Sequence, residues 1–445
     1  MHIHELQDKR VLIVGYGLTG ASVARFLDRH AIAFDVADEC DEATATLHAK
    51  QLGCEVFTQF DLSVFSQYPV LILSPGVPRS TPAIQAAVAS GIDVIGDIEL
   101  FAGAVDVPVI AVTGSNGKSS VVSWIAHVLQ HAGIKAVACG NIGQPALDSL
   151  QLPADVFILE LSSYQLESTR SLKPLAAAVL NVSDDHLDRY DDIEQYAAIK
   201  RHVFDGAAYC VANRDDARTW PERLDTPCDY FTLAMDAADQ ARWHRTSRDG
   251  DIWLCDDQYP LLSQAELSVP GDHNAANALA ALALIESLAV PFSALHEGLR
   301  GYAGLPHRTE FLGQQSGVRW YNDSKGTNVD ACIKAVEAMP GPVILIMGGI
   351  SKGADFLPLR NSIERHVRLL VLIGRDRERI SEQLAGSARM VNADSLRDAV
   401  HLSREHATRG DVVLLSPACS SFDMFKNFED RGEQFAAAVR EVLAA

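Results

Sequence analysis

The sequence predicts an α/β chain built on parallel sheets and divided into three domains, and three observations predict it. Apolar strands alternate with amphipathic helices along the whole chain. One strand runs through Val112 into Thr113-Gly-Ser-Asn-Gly-Lys-Ser-Ser120, followed by a helix with Val121, Val122, Trp124, Ile125, Val128 and Leu129 at core spacing. Gly301-Tyr-Ala-Gly-Leu-Pro-His-Arg308 is punctuated by glycine and proline and reads as a hinge.

The first domain, residues 1–97, is expected to hold strands near 10–14, 33–37 and 70–73, with helices from about Thr19 and Thr81. The middle domain, residues 98–303, carries the glycine loop, strands near 156–159 and 177–180, and an Ala/Leu-rich helix over 275–288 with a short helix after it. The last domain, residues 304–445, is expected to hold strands near 318–321, 343–347, 369–373 and 412–415. No short-period repeat or low-complexity segment interrupts the pattern.

Composition narrows the function classes. Hydrophobic residues at 48% and charged residues at 22% describe an ordinary globular chain of 445 residues, long enough for several cores. A net charge of −20 argues against a nucleic-acid or anionic-membrane partner, because nothing offsets phosphate repulsion over a broad face. Small anions held by a local Lys, Arg or Mg²⁺ remain compatible with it. The eight cysteines are scattered without a C-x-x-C, the usage of a reducing compartment. No signal-peptide core or bilayer-length apolar run is apparent, so a cytoplasmic location is expected.

Strand–glycine loop–helix is what a phosphate cradle requires. Gly114 and Gly117 let the backbone N–H groups around Ser115 and Asn116 turn toward an anion, and the helix N-terminus adds its positive end. Lys118 supplies a full charge, while the Ser119 hydroxyl can reach a nucleotide-bound Mg²⁺. The loop is shorter than G-x-x-x-x-G-K-[ST], since Val112 stands where the first glycine would fall. A nucleoside triphosphate is the expected ligand.

Open parallel sheets bind ligands beyond the carboxyl ends of their strands, and polar residues collect there. Glu160-Leu-Ser-Ser and Asn181-Val-Ser-Asp-Asp-His186 follow strands of the middle domain; Asn322-Asp-Ser-Lys325, Gly348-Gly-Ile-Ser-Lys352 and Ser416-Pro-Ala-Cys-Ser-Ser421 follow strands of the last. Two polar edges flanking a hinge predict a closing cleft. Glu160 and His186 suit a metal ion or are ordinary strand-end polarity; Lys200 alone reads as a surface lysine. Asn277 is a helix-start cap or a ligand contact, and Arg308 a phosphate clamp or an interdomain ion pair. Gly15-Tyr-Gly-Leu-Thr-Gly20 opens a helix and Asp38 ends the next strand, a form that serves NAD, another nucleotide diphosphate, or simply a tight turn. Ser74-Pro75-Gly76 borders the same crevice.

Taken in order, these motifs resemble the Mur ligases. Thr113–Ser120, Glu160-Leu-Ser-Ser-Tyr-Gln165, Asn181-Val-Ser-Asp-Asp-His-Leu-Asp188, Tyr196-Ala-Ala-Ile-Lys200, Gly271-Asp-His-Asn-Ala-Ala-Asn277 and Gly304-Leu-Pro-His-Arg308 carry the general likeness. Asn322-Asp-Ser-Lys-Gly-Thr-Asn328, Gly348-Gly-Ile-Ser-Lys352 and the run from Ser416 to Phe428 resemble the branch that adds D-glutamate to UDP-N-acetylmuramoyl-L-alanine. Departures are small: Ser115 and Ser120 stand where threonine is common, and Ile350 where an acid can stand.

The resemblance implies a Rossmann-like N-terminal domain, a central P-loop ATPase-type domain and a Rossmann-like C-terminal domain. By likeness, the Gly15–Gly20 turn with Leu18, Thr19, Asp38, Ser74, Pro75 and Gly76 holds the UDP-sugar, and Asn141 and His186 touch the same substrate. Gly114, Ser115, Asn116, Gly117, Lys118, Ser119, Ser120, Asn277, Arg308 and Asp323 hold ATP; Ser119, Glu160, His186 and a carbamylated Lys200 hold two Mg²⁺ ions. Thr327, Lys352, Ser421 and Phe428 seat D-glutamate, and Lys118, His186 and Lys200 are the implied catalytic residues. Implied partners are small molecules alone, with a monomer as the expected state. A nicotinamide oxidoreductase, a non-catalytic nucleotide-binding module and a sister ligase with another acceptor, including L-glutamate, are the competing readings.

Overall fold

The computed structural model describes residues 2–184, 189–222, 226–235, 237, 240–257, 259–269, 271–288 and 290–444. Three sheets follow one another along the chain. The first orders β1 (Val11–Val14), β2 (Phe34–Ala37), β3 (Val56–Phe57), β4 (Val70–Leu73) and β5 (Asp93–Gly96) as β3-β2-β1-β4-β5, every pair parallel. The second contains β6 (Val109–Thr113), β7 (Ala136–Gly140), β8 (Val156–Glu160), β9 (Ala176–Val179), β10 (Cys210–Asn213), β11 (Cys228–Met235), β12 (Trp243–Arg248), β13 (Asp251–Asp256) and β14 (Tyr259–Ser263). Its order is β14-β13-β12-β11-β10-β9-β6-β8-β7. The third orders β15 (Glu310–Gln315), β16 (Val318–Asn322), β17 (Val343–Gly348), β18 (Val367–Ile373), β19 (Arg389–Asn392) and β20 (Val412–Leu415) as β15-β16-β20-β17-β18-β19.

Central strands are apolar on both faces because helices cover both: β1, β4, β6, β17 and β20 are buried at every position. Among the described strand pairs, two antiparallel ones extend these parallel sheets. β12 pairs antiparallel with β13 and β15 with β16. In each case two residues in left-handed conformation make the turn, Asp249 (φ 55°) with Gly250 (φ 87°) and Ser316 (φ 53°) with Gly317 (φ 78°). Such pairs close a hairpin whose twist matches its strands, so the chain returns beside itself instead of crossing over.

By contact density the chain divides into two compact units, Met1–Leu262 with Asn277–Leu299, and Ser263–Ala276 with Arg300–Ala445. The first two sheets share one apolar core in the first unit. Ile13 and Phe26 from the first sheet region, Phe101 from the helix Asp97–Ala104, and Phe157 and Leu159 of β8 belong to a single cluster, with Phe101 edge-on to Phe157 at 5.5 Å between centroids. Burying a ring of that size contributes about 1.5–3 kcal/mol, so the two sheets are welded into one body. The third sheet has its own core on each face, around Met347, Phe356 and Leu414 on one side and Trp320, Val413 and Phe435 on the other.

Candidate active site

Within the first unit the polar edge forms where β6 lies between β9 and β8. Loop 114–117 leaves β6 and enters the helix Lys118–His131, whose apolar face is buried through Val121, Trp124, Ile125 and Val128. Gly117 has φ 84°, and a Cβ there would stand 2.5 Å from Asn277 Oδ1, so only glycine lets the loop pass this side chain. Asn181 at the end of β9 clamps the loop from the other side. Its Oδ1 accepts from the Asn116 N–H at 2.8 Å and its Nδ2 donates to the Asn116 carbonyl at 3.0 Å. The Ser183 N–H donates to Ser115 Oγ at 3.0 Å. Lys118 Nζ folds back over the loop, donating to the Gly114 and Ser115 carbonyls at 2.8 and 2.9 Å.

Lys200, which alone reads as a surface lysine, is 1% exposed. Its Nζ donates to the same Gly114 carbonyl at 2.9 Å and lies 4.3 Å from the centre of the Tyr196 ring. Two lysines from different helices thus meet on one backbone oxygen of the phosphate loop. Glu160 ends β8 and is also buried. Oε1 accepts from Asn141 Nδ2 at 2.9 Å, while Oε2 is shielded and has no hydrogen-bond partner. A buried carboxylate oxygen left in that state calls for a cation or a donor. Ser119 is buried at the head of the helix. His186 lies outside the described residues.

At the switch point of the first sheet, β1 and β4 are neighbours and their following loops meet. Ser74 Oγ donates to the Gly15 carbonyl at 2.6 Å, and Asp38 Oδ1 accepts from the Tyr16 N–H at 3.0 Å. Leu18 is exposed at the start of its helix, Thr19 and Pro75 are half-buried, and Gly76 is exposed. This edge therefore joins all six residues named from the sequence.

In the second unit the loops after β16, β20 and β17 come together. Asp323 N–H donates to the Leu415 carbonyl at 2.7 Å, Ala418 N–H to Gly326 at 2.8 Å, and Ile350 N–H to Ser420 at 2.9 Å. Thr327, Lys352, Ser421 and Phe428 sit on these loops and on the start of the helix Phe428–Ala444; Thr327 and Lys352 are exposed, Ser421 is buried. Lys352 is held at φ 49°, and Lys325 Nζ lies 3.9 Å from the centre of the Phe428 ring. Asp323 accepts from Ser416 Oγ at 2.7 Å and from the Thr309 N–H at 3.1 Å. Burial pushes its carboxyl up to about 7 against the pull of those donors and of Arg308. Arg308 is flanked by two left-handed residues, His307 at φ 63° and Thr309 at φ 49°. Each costs of order 1–3 kcal/mol, a strain found where a side chain must be aimed.

One residue central to this edge is inconspicuous in one dimension. Arg431, on the last helix, is 1% exposed; it donates from Nε to Ser324 Oγ at 2.9 Å and from its terminal nitrogens to the Ser324 and Cys419 carbonyls at 2.7 and 3.1 Å. Burial lowers the guanidinium to about 10, leaving it charged at neutral pH. Asn322 donates from Nδ2 to the Gly432 carbonyl at 3.1 Å and sits 2.9 Å from His307 Nδ1. The one sequence signal was an Arg-Gly pair inside a helix, where glycine is unfavourable unless another group comes close.

Comparison with known proteins fits this geometry. The Mur ligase MurD-like N-terminal domain matches residues 9–96, the Mur ligase middle domain residues 112–285, and the Mur ligase glutamate ligase domain residues 307–419. The UDP-N-acetylmuramoylalanine--D-glutamate ligase of Nitrosococcus oceani is 45% identical over 443 residues, with 97% of each chain covered. The ligase of the same name from Acinetobacter baylyi is 41% identical, covering 96% of this chain and 97% of its own. Among solved structures, UDP-N-acetylmuramate-alanine ligase MurC of Thermotoga maritima superposes with a TM-score of 0.61 at 17% identity, covering 98% and 100% of the two chains. MurF ligase of Thermotoga maritima, solved in complex with ADP, gives 0.58 at 15% identity, covering 97% and 95%. Those two likenesses concern the fold; the sequence matches run through all three sheets, and by them the chain belongs to the Mur ligase family.

Proposed function

We propose that this protein is an ATP-dependent amide ligase that adds D-glutamate to UDP-N-acetylmuramoyl-L-alanine, a step in cytoplasmic peptidoglycan precursor synthesis. The observation that carries the reading is full-length likeness, 45% identity over 97% of the chain, to a ligase named for that reaction. Among the described residues no helix is long and apolar enough to cross a membrane. Residues 1–97 take the UDP-sugar through Leu18, Thr19, Asp38, Ser74, Pro75 and Gly76; residues 98–303 take ATP; residues 304–445 take the amino acid.

The reaction runs in two displacements. A carboxylate oxygen of the sugar-linked alanine bonds to the γ-phosphorus of ATP, the bond to the β-phosphate oxygen breaks, and ADP leaves. The amine of D-glutamate, having lost its ammonium proton, then bonds to the carbonyl carbon of the acyl phosphate. The tetrahedral intermediate expels inorganic phosphate and sheds the second N–H proton to give the amide. Lys118 holds the transferring phosphoryl group with the loop N–H groups of residues 115–120, and Arg308 offsets its charge. Asn277 and Asp323 contact the nucleotide, and Asn141 the sugar-linked substrate. Thr327, Lys352, Ser421 and Phe428 orient the incoming glutamate, with Lys352 facing a carboxylate. His186 is the candidate acceptor of the amine proton.

The unpartnered Glu160 Oε2 supports a seat for Mg²⁺. Glu160, Ser119, His186 and a carbamylated Lys200 are the residues that would hold two ions. Magnesium supplies charge neutralisation at the phosphoryl oxygens. The carbamate arises when the Lys200 ammonium sheds one proton, the neutral nitrogen bonds to the carbon of CO₂ and a second proton leaves, turning a cation into an anion beside the phosphate loop.

The test is phosphate release with UDP-N-acetylmuramoyl-L-alanine, ATP and a panel of amino acids. D-Glutamate is expected to stimulate release above all others. Preference for L-glutamate or another acceptor overturns the assignment, and so does ATP binding without amino-acid-stimulated release.

A further inference from the structure

Outside the phosphate-loop edge, one group of side chains has a composition that carboxylate chemistry alone does not explain. Asp38 ends β2, Cys40 follows it in the loop, and His48 lies on the helix Glu42–Leu52; each offers one ligand atom, and the three lie within 4.8 Å of one another. Among the described residues this is the one cluster of three or more potential metal ligands of these types. Its parts are held from outside. The Tyr16 N–H fixes one Asp38 oxygen at 3.0 Å, and the Cys40 N–H is tied to the Asp38 carbonyl at 2.9 Å. The Tyr16 ring packs edge-on against the His48 ring with centroids 4.9 Å apart. The second observation is that His48 Nδ1 is shielded from solvent and has no hydrogen-bond partner. A buried imidazole nitrogen without a partner loses its hydration for nothing unless a ligand occupies it.

We infer that Asp38, Cys40 and His48 form a three-ligand site for a Zn²⁺-class cation. A tetrahedral ion with bonds of about 2.0–2.3 Å places its ligands roughly 3.3–3.6 Å apart, so the three atoms, all within 4.8 Å of one another, draw together on binding. Thiolate and imidazole select a borderline-soft ion over Mg²⁺, and the charges of carboxylate and thiolate balance a divalent cation. Binding forms the metal–sulfur bond and displaces the Cys40 thiol proton to water. The fourth position stays open for solvent. Asp38 is also where the proposed UDP-sugar makes its contact, so metal and nucleotide exclude one another; this part rests on the functional reading above. The site is then an inhibitory one, which lets a soft cation block the donor substrate without touching the ATP loop.

The experiment is a titration of the full-length protein with Co²⁺ in excess Mg²⁺, read by absorption. A thiolate-to-cobalt charge-transfer band and tetrahedral visible bands are expected at one equivalent. Zn²⁺ should bleach both, Cys40→Ser should abolish the charge-transfer band, and His48→Gln should shift the visible bands, with circular dichroism unchanged in each variant. No band, or a band undiminished in Cys40→Ser, overturns the site. So does a purely octahedral spectrum equal in all three proteins, which means an adventitious ion only. Added UDP should diminish the band; an undiminished band overturns the exclusion while coordination stands. No D-glutamate-stimulated phosphate release from the protein before cobalt is added, with the cobalt spectrum intact afterwards, would instead count against the functional reading.

Discussion

Arg189 and Glu167 form a closed bidentate pair, Nε to Oε1 at 3.1 Å and the terminal nitrogen to Oε2 at 2.7 Å, with both side chains only 9% exposed. The remaining terminal nitrogen of Arg189 donates to the Pro75 carbonyl at 2.9 Å, Tyr190 OH donates to Glu167 at 2.7 Å, and the guanidinium lies 3.9 Å from the centre of the Tyr164 ring. The loop after β4, in the first sheet, is thereby fixed to the segment that follows β9 in the second. Removing one member of a buried pair strands the other, at a cost of about 3–5 kcal/mol. Arg189→Ala should lower the denaturant midpoint and raise KM for the UDP-sugar more than it lowers kcat, with Arg189→Lys intermediate. An unchanged midpoint and KM would refute this positioning role.

Lys118→Ala removes the cation that hangs over the phosphate loop. Phosphate release should fall by at least about 10²–10³-fold, the scale of one lost stabilising group, while circular dichroism stays unchanged. Turnover near normal would rule out the role given to this lysine.

For Lys200 the carbamate reading predicts a chemical rescue. Lys200→Ala should abolish turnover, and added formate or acetate should restore a part of it by filling the space with a free carboxylate. Full activity without additive, or severe loss that no short carboxylate relieves, counts against a carbamate.

Gly117→Ala adds a methyl group at φ 84°, 2.5 Å from Asn277 Oδ1. Backbone strain of about 1–3 kcal/mol is expected, read as a lower midpoint and weaker ATP binding. In the double variant with Asn277→Ala the clash is gone and the strain remains, so its stability loss should be smaller than the sum of the single losses. Strict additivity would show that the contact is not what reserves this position for glycine.

Asp323 gives a pH dependence of definite sign. Its carboxyl is raised from 3.8 to about 7 in the folded protein, chiefly by burial. Between those values the folded state binds more protons than the unfolded, so its contribution is present below the lower value and lost as pH rises through the upper one. The stability of Asp323→Asn relative to the parent should therefore improve from about pH 5 to pH 8. His273, lowered to about 4 by burial, has the opposite slope and is common to both proteins, so it cancels in the difference. A flat or inverted difference would mean that Asp323 is ionised throughout.

The strands legible in the sequence were the ones buried on both faces. β1, β4, β17 and β20 are unbroken apolar runs, and a run of that kind bounded by glycine and polar residues has few alternatives. The hairpin β12–β13 alternates polar and apolar residues more weakly, and its one clear signal was Asp249-Gly250. Lys118 was readable because its role is local, directly after the loop it serves and four residues from the Gly114 carbonyl to which it donates. Lys200 was not, since its burial depends on the Gly114 carbonyl, 86 positions away in sequence. Arg431 was silent for the same reason: an arginine on a helix normally faces water, and only the packed fold shows that this one does not.

The Arg431 brace bears on engineering. Ser324, Cys419 and the last helix are locked by a side chain that is distinct from the residues proposed to touch the amino acid. Acceptor preference is therefore best re-drawn by varying Thr327, Lys352, Ser421 and Phe428 on an untouched chassis, with libraries that leave Arg431 and Ser324 alone. Libraries that randomise the brace would spend most of their members on collapsed loops.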